Sequence, residues 1–400
     1  MKRIYFLFLI FTTIFYGQQK DSIPDKESDK KLKVFYAKPG VQFQTMDGDY
    51  KMKLNFRVQF RGYLNFDADP TTIDDFQNFD NGINVNRARM KVGGNAYKSW
   101  LKYYFEYDLE GSNLLNFEFM IERWKFLKFR VGQWKSRYSV ERMISSGKQQ
   151  TLERSLINRA FTIDRQRGAS VYGNLEGKGA ANISYWASVF TGTGRGNRSN
   201  DDKHMMYMGR LQWNISGEEV KFTGSDLNYS DKFTTYIATA TVTNKSKYTR
   251  FSTSGGGFLE GFEDAEDGQY RVNQYLIEAN FRYKGWYYQQ EYHWKEIEDK
   301  IYDTPMTHLT GHYAQLGYLI GQKINFLPKD FEVYGRHSVF NPNRELKDDL
   351  QFEYTVGLNW FIFGHNNKIT AEYSYLDYES IDMVSNQTGS RYRLQWDISF

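Results

Sequence analysis

The chain has 400 residues, 18% of them aromatic, with 31 Tyr, 31 Phe and 9 Trp but only 6 Pro, at a mean hydropathy of −0.68. It is too aromatic for a disordered chain and too polar for a helical membrane protein. The absence of cysteine excludes a disulfide framework, a thiolate metal site or nucleophile, and an acylated Cys behind a leader. The formal charge of +4 falls to +2 once the leader's Lys2 and Arg3 are gone, 50 basic residues against 48 acidic, which excludes bulk nucleic-acid binding and leaves any anion preference to the placement of charges.

Residues 1–17 read as a secretory signal peptide: Lys2 and Arg3, an apolar run over 4–15 too short to anchor in a membrane, then small Gly17 before a polar stretch. Residues 18–50 are polar and charged with one apolar patch at 34–36. They are expected to form a periplasmic tether with little fixed structure, or a short helix capping the barrel's lower mouth.

From Lys51 the pattern becomes period two. Leu54, Phe56, Val58, Phe60, Leu64 and Phe66 alternate with Asn55, Arg57, Gln59, Arg61, Tyr63 and Asn65, which describes a strand greasy on one face and wet on the other. The alternation returns in about sixteen segments, each near the ten residues that a tilted strand needs to cross a bilayer. They are 51–66, 83–98, 99–110, 115–124, 125–134, 168–176, 180–191, 204–216, 232–243, 270–284, 285–297, 310–321, 330–338, 350–363, 368–378 and 390–400. Long connections alternate with short ones near Lys98, Trp124, Gly177, Gly285 and 364–367, the arrangement of an outer-membrane barrel. Two connections break the rule: a short one at Asn113 and a long one over 217–231. Trp100, Trp124, Trp213, Trp286 and Trp360 fall near strand ends on the turn side, where an interfacial girdle belongs. No blade-length repeat supports a propeller. The expected fold is all-β, a transmembrane antiparallel barrel over 51–400.

The longest irregular stretch is 135–167. It carries Tyr138, Met143, Ile144, Leu152, Leu156, Ile157, Phe161 and Ile163, apolar surface that needs packing, together with Arg142, Arg154, Arg159, Arg165 and Arg167. A loop of this length and composition is functional rather than slack.

In a barrel of this size the wet faces line a channel, and their charges set selectivity. Arg57 and Arg61 on the first strand, Arg87, Arg89 and Lys91 on the second, and Arg391 and Arg393 on the last become one basic wall when the barrel closes, with only Asp397 on the last strand opposing them. Lys128 and Arg130 extend it on the fifth strand, and Glu106, Asp108, Glu110, Glu118 and Glu122 answer it from the third and fourth. Such lumenal charges also pair across strands. Arg154, Arg159, Arg165 and Arg167 are candidates for a constriction, since a guanidinium grips oxyanions bidentately and keeps its charge; their alternative partners are Glu141, Glu153 and Asp164. The six histidines are scattered without metal-ligand spacing, and no Ser/His/Asp grouping suggests an enzyme.

The run Gly132-Gln133-Trp134-Lys135, then Tyr138-Ser139-Val140-Glu141, Glu153-Arg154, Ala160-Phe161 and Arg165 to Gly168, resembles the signature region of the phosphate-selective porin O and P family. The spacing of Arg57 and Arg61, the Asn86-Arg87-Ala88-Arg89 run and the terminal Phe400 are similar to that family as well. One departure is Arg137, where the family usually has proline. The resemblance implies a homotrimeric outer-membrane porin of sixteen strands whose third external loop folds into the lumen, with an arginine and lysine path drawing anions inward. It also implies that Phe400 marks the chain for the barrel-assembly machinery. The expected function is passive passage of anions, phosphate or polyphosphate among them, with lipid around the barrel, no cofactor, no metal and no nucleic acid. The alternatives are a general diffusion porin without solute preference and a structural or adhesive barrel plugged by its loop.

Overall fold

The period-two runs pair with one another in chain order. The computed structural model describes residues 31–71, 74–77, 79–195, 200–252, 256–347, 349–379 and 387–400; the signal peptide expected over 1–17 and the first part of 18–50 lie outside them. A hairpin of β1 (Leu32–Tyr36) and β2 (Val41–Thr45) precedes β3 (Lys51–Leu64), β4 (Gly82–Asn95), β5 (Leu101–Asp108), β6 (Asn113–Ile121), β7 (Lys128–Lys135) and β8 (Arg165–Glu176). Then follow β9 (Asn182–Phe190), β10 (Met206–Trp213), β11 (Thr234–Ser246), β12 (Tyr270–Tyr283), β13 (Trp286–Asp299) and β14 (Thr307–Tyr318). The last are β15 (Phe331–Asn341), β16 (Gln351–His365), β17 (Asn367–Tyr378) and β18 (Gln387–Ser399). From β3 onward each strand pairs antiparallel with the next, and β18 closes on β3 with Tyr392 opposite Leu64 and Ser399 opposite Arg57. The result is a closed barrel of 16 strands, one for each expected segment.

The described part of residues 18–50, from residue 31 on, forms strands where a tether with little fixed structure was expected. In their described part β1 pairs with β2, and β2 lies along the start of β3, with Val41 opposite Leu54 and Gln44 opposite Lys51. The reason is geometric: β18 reaches β3 only from Arg57 onward, so the first residues of β3 present an unpaired edge on that side, and β2 fills it.

Burial is inverted relative to a water-soluble core. On β18, Tyr392, Leu394 and Trp396 are exposed while Arg391, Arg393, Gln395 and Asp397 are buried. On β16, Tyr354, Val356, Leu358, Trp360 and Ile362 are exposed and Glu353, Thr355 and Asn359 buried. The apolar set faces lipid and the polar set faces in. Trp124, Trp213, Trp286 and Trp360 stay exposed next to the short turns. Two bulges modify the pattern. Between Gln59 opposite Arg87 and Phe60 opposite Val85, Asn86 is skipped, and its amide reaches inward to Glu153 (3.2 Å); a second irregularity skips Leu115 on β6.

Residues 136–164 run inside the barrel. Two one-turn helices, Val140–Met143 and Asn158–Phe161, punctuate the segment, and its main chain is bonded to inward side chains of distant strands. The amides of Val140, Glu141, Leu152 and Leu156 donate to the carboxylates of Glu278 (2.8 Å), Glu291 (2.7 Å), Glu372 (3.0 Å) and Glu353 (2.9 Å). The carbonyls of Tyr138, Gln149, Glu153 and Ala160 accept from Arg210 (3.0 Å), Lys368 (2.8 Å), Arg336 (2.8 Å) and Lys295 (2.8 Å). Nearer the loop end, Leu156, Ile157, Phe161 and Ile163 pack with inward Phe190, Val242, Val272, Leu276, Leu309 and Phe340 in one apolar cluster. The lumen segment is therefore packed against the β9–β17 side of the lumen. At the root of the segment Gly132 holds φ 127°, and a Cβ there would run into the Phe117 carbonyl oxygen, so only glycine fits.

Two outcomes follow from this packing. Leu394→Arg, which puts a charge on the lipid face in mid-strand, lowers unfolding free energy in bilayers by about 2–4 kcal/mol, as read by urea titration of tryptophan fluorescence in vesicles. Burial, and after it the charge of Glu291, pushes the Glu141 carboxyl up to about 7. A raised carboxylate gives stability that is full below its unfolded value and declines as pH rises through the folded one. The apparent melting temperature is therefore expected to fall between about pH 4.5 and pH 7, and Glu141→Gln, which stays neutral, to remove that part of the decline.

Candidate functional site: a basic cavity at the turn end

The strand cations expected to line the lumen do face in, and most are neutralised there. Arg61 pairs with Asp67 (2.7 Å) and Glu153 (2.6 Å), and Arg87 with Glu153 (2.8 Å). Arg89 meets Glu106 (3.3 Å) and Asp108 (3.9 Å), and Arg130 meets Glu118 (3.2 Å). Arg391 pairs with Asp69 (2.7 Å) and Arg393 with Glu372 (2.5 Å). Lys128 lies 5.8 Å from the Tyr172 ring. Asp397, expected to oppose this wall from the last strand, accepts from Gln59 and Gln395 instead; the counter-charges of Arg89 and Arg130 come from β5 and β6, and the others from the connection after β3, the lumen segment and β17. Buried cations that had no such partner would be strongly destabilising. Glu110, expected on the polar face of the third strand, lies exposed beyond the end of β5.

The four arginines expected on the loop separate, and two of them, Arg165 and Arg167, stand on β8 instead. Arg165 reaches Asn116 (2.7 Å), Glu106 (3.4 Å) and Asp164 (3.5 Å), and Arg167 donates to Gln133 (3.1 Å). Arg154 bonds the carbonyl oxygens of Glu141 (3.3 Å) and Ile144 (3.4 Å) and has no carboxylate within ion-pair distance among the described residues. Arg159 turns to the loop-end rim and pairs with exposed Glu260 (2.6 Å), apart from the others. Of the three acids expected to pair with them, Asp164 takes Arg142 as well as Arg165, Glu153 takes the wall arginines Arg61 and Arg87, and Glu141 accepts from Ser155 N (2.7 Å) and Oγ (2.9 Å).

Toward the turn end the balance of charge changes. A cavity of about 1040 Å³ lies between the β3–β7 wall and the lumen segment. Its lining holds eleven cations, Lys38, Lys51, Lys53, Arg57, Lys91, Lys102, Arg130, Lys135, Arg137, Lys148 and Lys221, against two carboxylates, Glu106 and Glu118. The tip of the lumen segment touches the wall at its inner end, where Arg57 donates to Ser145 Oγ (3.2 Å) and Ser146 Oγ (2.7 Å) and Arg89 to Ser146 Oγ (3.4 Å). Among the described residues Arg57, Lys91, Lys135, Arg137, Lys148 and Lys221 have no carboxylate within ion-pair distance. Burial, and then the charge of Lys221, holds Lys148 below the ordinary lysine range. Burial, and then Arg130, pushes Arg137 down to about 10. Crowded like charges in a low-dielectric recess produce a positive potential that concentrates anions. Aromatic faces complete the lining: Arg137 lies 6.0 Å from the Phe222 ring and Lys38 4.6 Å from the Phe363 ring.

Only Arg57, Lys91 and Arg130 of these eleven were expected at the site from sequence. Lys51 and Lys53 share the inward face of β3 with Arg57, so the alternation could have found them, and the same holds for Lys102 beside Tyr104 and Glu106 on β5. Lys135, Arg137, Lys148, Lys38 and Lys221 come from the start of the lumen segment, its tip, the hairpin and the 217–231 connection, and no local pattern marks them. No group of three or more His, Asp or Glu among the described residues is placed to hold a metal ion.

No curated protein matches this chain. Among solved structures the fold is similar to an anion-selective porin from Comamonas acidovorans, at 10% identity over 87% of this chain and 99% of that one, with a TM-score of 0.58. It is similar to the outer-membrane channel DcaP of Acinetobacter baumannii, at 10% identity over 87% and 97%, TM-score 0.56. It is also similar to a trimer form of in-vitro folded OmpT from Vibrio cholerae, at 12% identity over 87% and 99%, TM-score 0.50. Identities this low speak to the fold alone. The family model is more specific: phosphate-selective porin O and P matches residues 51–398, from the first residue of β3 to the next-to-last of β18. This chain belongs to the phosphate-selective porin O and P family and is an outer-membrane porin.

Proposed function

We propose that this porin passes anions passively, with phosphate or polyphosphate as the solute, and that the turn-end cavity is its selective element. The observation that carries the reading is the eleven-to-two excess of cations over carboxylates in that cavity, in a chain whose whole charge is close to neutral. Arg57 and Lys91 line the cavity beside the lumen segment, with Lys135 from the loop end of β7 and Lys148 from the segment's tip. A solute would step between such weak sites, because conduction needs binding loose enough to release. Arginine suits oxyanions through two parallel N–H donors. Toward the loop end the path passes Arg165, Arg89, Arg87 and Arg61, whose carboxylate partners leave less net charge there.

The reading extends to assembly. The chain is taken to form a homotrimer in the outer membrane, in line with the trimer form of the OmpT comparison. Phe400 is taken as its recognition end for the barrel-assembly machinery. Its backbone pairs both ways with Phe56, at 2.8 and 3.0 Å, and their rings stack at 6.0 Å. The burial of residues 136–164 favours one other reading, a barrel plugged by its own segment. Swelling of proteoliposomes in small solutes separates the two, since a plugged barrel gives none.

In planar bilayers with a salt gradient the reversal potential is expected on the anion side, and Arg57→Glu with Lys91→Glu lowers the anion-to-cation permeability ratio by roughly tenfold. Equal permeability in the unaltered protein would mark a general diffusion porin, and cation preference would sink the basic-cavity argument. Phosphate block of chloride current is expected to weaken in Arg154→Ala and Arg165→Ala and to stay unchanged in Arg159→Ala, which sits at the far rim.

A further inference from the structure

The connection over 217–231 is much longer than its neighbours at the same end, and the barrel has no need of that length to join β10 to β11. It folds up into the lumen and meets the tip of the segment descending from the other end. Gly224 N–H donates to the Lys148 carbonyl oxygen (2.6 Å), and a Cβ on Gly224 would stand 2.5 Å from the Gln150 amide nitrogen. Both sides of this junction are tied to the same wall groups. His365 Nε2 bonds the Gly224 carbonyl (2.9 Å), and Glu332 accepts Ser225 Oγ (2.8 Å) from one insertion and Gln150 Nε2 (2.8 Å) from the other. Val220 and Phe222 pack on Val140, Met143 and Ile144 of the lumen segment. The carboxylate of Glu332 thus reads the presence of both insertions at once, and Lys221 stands exposed between these anchors, on the cavity lining with Lys148.

We propose that residues 217–231 form the second half of the constriction, entering from the turn end. They latch the tip of the lumen segment at Gly224 and Ser225, and they contribute Lys221 as a selectivity residue at the cavity's outer edge. The inference rests on the porin reading and deepens it. Without the latch the 145–150 tip loses its support on the turn side, and the packed side of the lumen next to β15–β17 opens toward the cavity. Lys221 acts by charge alone, since its ammonium has no carboxylate partner among the described residues.

Single-channel recording on the full-length protein in planar bilayers tests this, with heat-modifiable migration on gels as the check that each variant is a folded barrel. Lys221→Glu is expected to move the reversal potential toward the cation side while Lys221→Arg leaves it in place, a pair that a purely structural role would not separate. Gly224→Val, which forces the two insertions apart, is expected to raise conductance and add open-state fluctuations. Should Gly224→Val fail to fold, Ser225→Ala removes one latch bond with no added volume and reads the same fluctuations. If the unaltered channel conducts anions and the folded variants keep its conductance and reversal potential, residues 217–231 are a passive turn and the inference is overturned. An unaltered protein that does not conduct fails the porin reading instead, and this inference with it.

Discussion

A peptide group taken out of water must find another partner, and the interior of this barrel is arranged around that requirement. Residues 136–164 bring a stretch of main chain without regular structure into the lumen, where each unsatisfied amide or carbonyl would cost about 1–3 kcal/mol. Helix or sheet would settle the matter locally. This segment has only two single turns of α-helix and one 3-10 turn, so the partners come from the wall: Glu278, Glu291, Glu353 and Glu372 take its amides, and Arg210, Lys295, Arg336 and Lys368 donate to its carbonyls. These side chains stand on the inward faces of β10, β12, β13 and β15–β17. The segment is therefore drawn to that half of the barrel, and the aqueous remainder is pressed against β3–β7.

This displacement explains the two kinds of charge in the lumen. Where the segment touches the wall at its loop-end side, Glu153 and Asp164 neutralise Arg61, Arg87 and Arg165, and the connection after β3 adds Asp67 and Asp69 for Arg61 and Arg391. Where it recedes toward the turn end it presents Arg137 and Lys148 instead of acids, and Arg57 on β3 and Lys91 on β4 face it without a carboxylate partner among the described residues. One segment thus serves as counter-ion at one level and as a second positive wall at the next. A nearly neutral chain can carry a strong local field this way, because net charge limits solubility and bulk binding but not the field inside a low-dielectric recess.

The alternation of residues such as Tyr392, Leu394 and Trp396 with Arg391, Arg393 and Gln395 was enough to locate every barrel strand, since side-chain direction in a strand has period two and lipid on one side with water on the other makes that period visible. The inward orientation of the candidate arginines was legible for the same reason. Partners on the next strand were legible too, since Arg393 stands opposite Glu372 and Arg89 opposite Asp108. Others were not: Arg61 meets Glu153 across a separation that no periodicity encodes, and Asn86 turns inward only because a bulge shifts the register by one residue. The hairpin at Val41 was hidden too, because what calls for it is the unpaired start of β3, a consequence of where β18 stops.

The sequence by itself determined the class of fold, the number of strands, the lipid face and the length of the two insertions, all of which depend on neighbours within about ten residues along one strand. Tertiary structure alone decided which side of the lumen the segment packs against, which cations meet a carboxylate partner, and that the two insertions meet at Gly224 and Lys148. Those outcomes turn on Coulomb and hydrogen-bond contacts between residues far apart in the chain, and such contacts exist only once the barrel has closed.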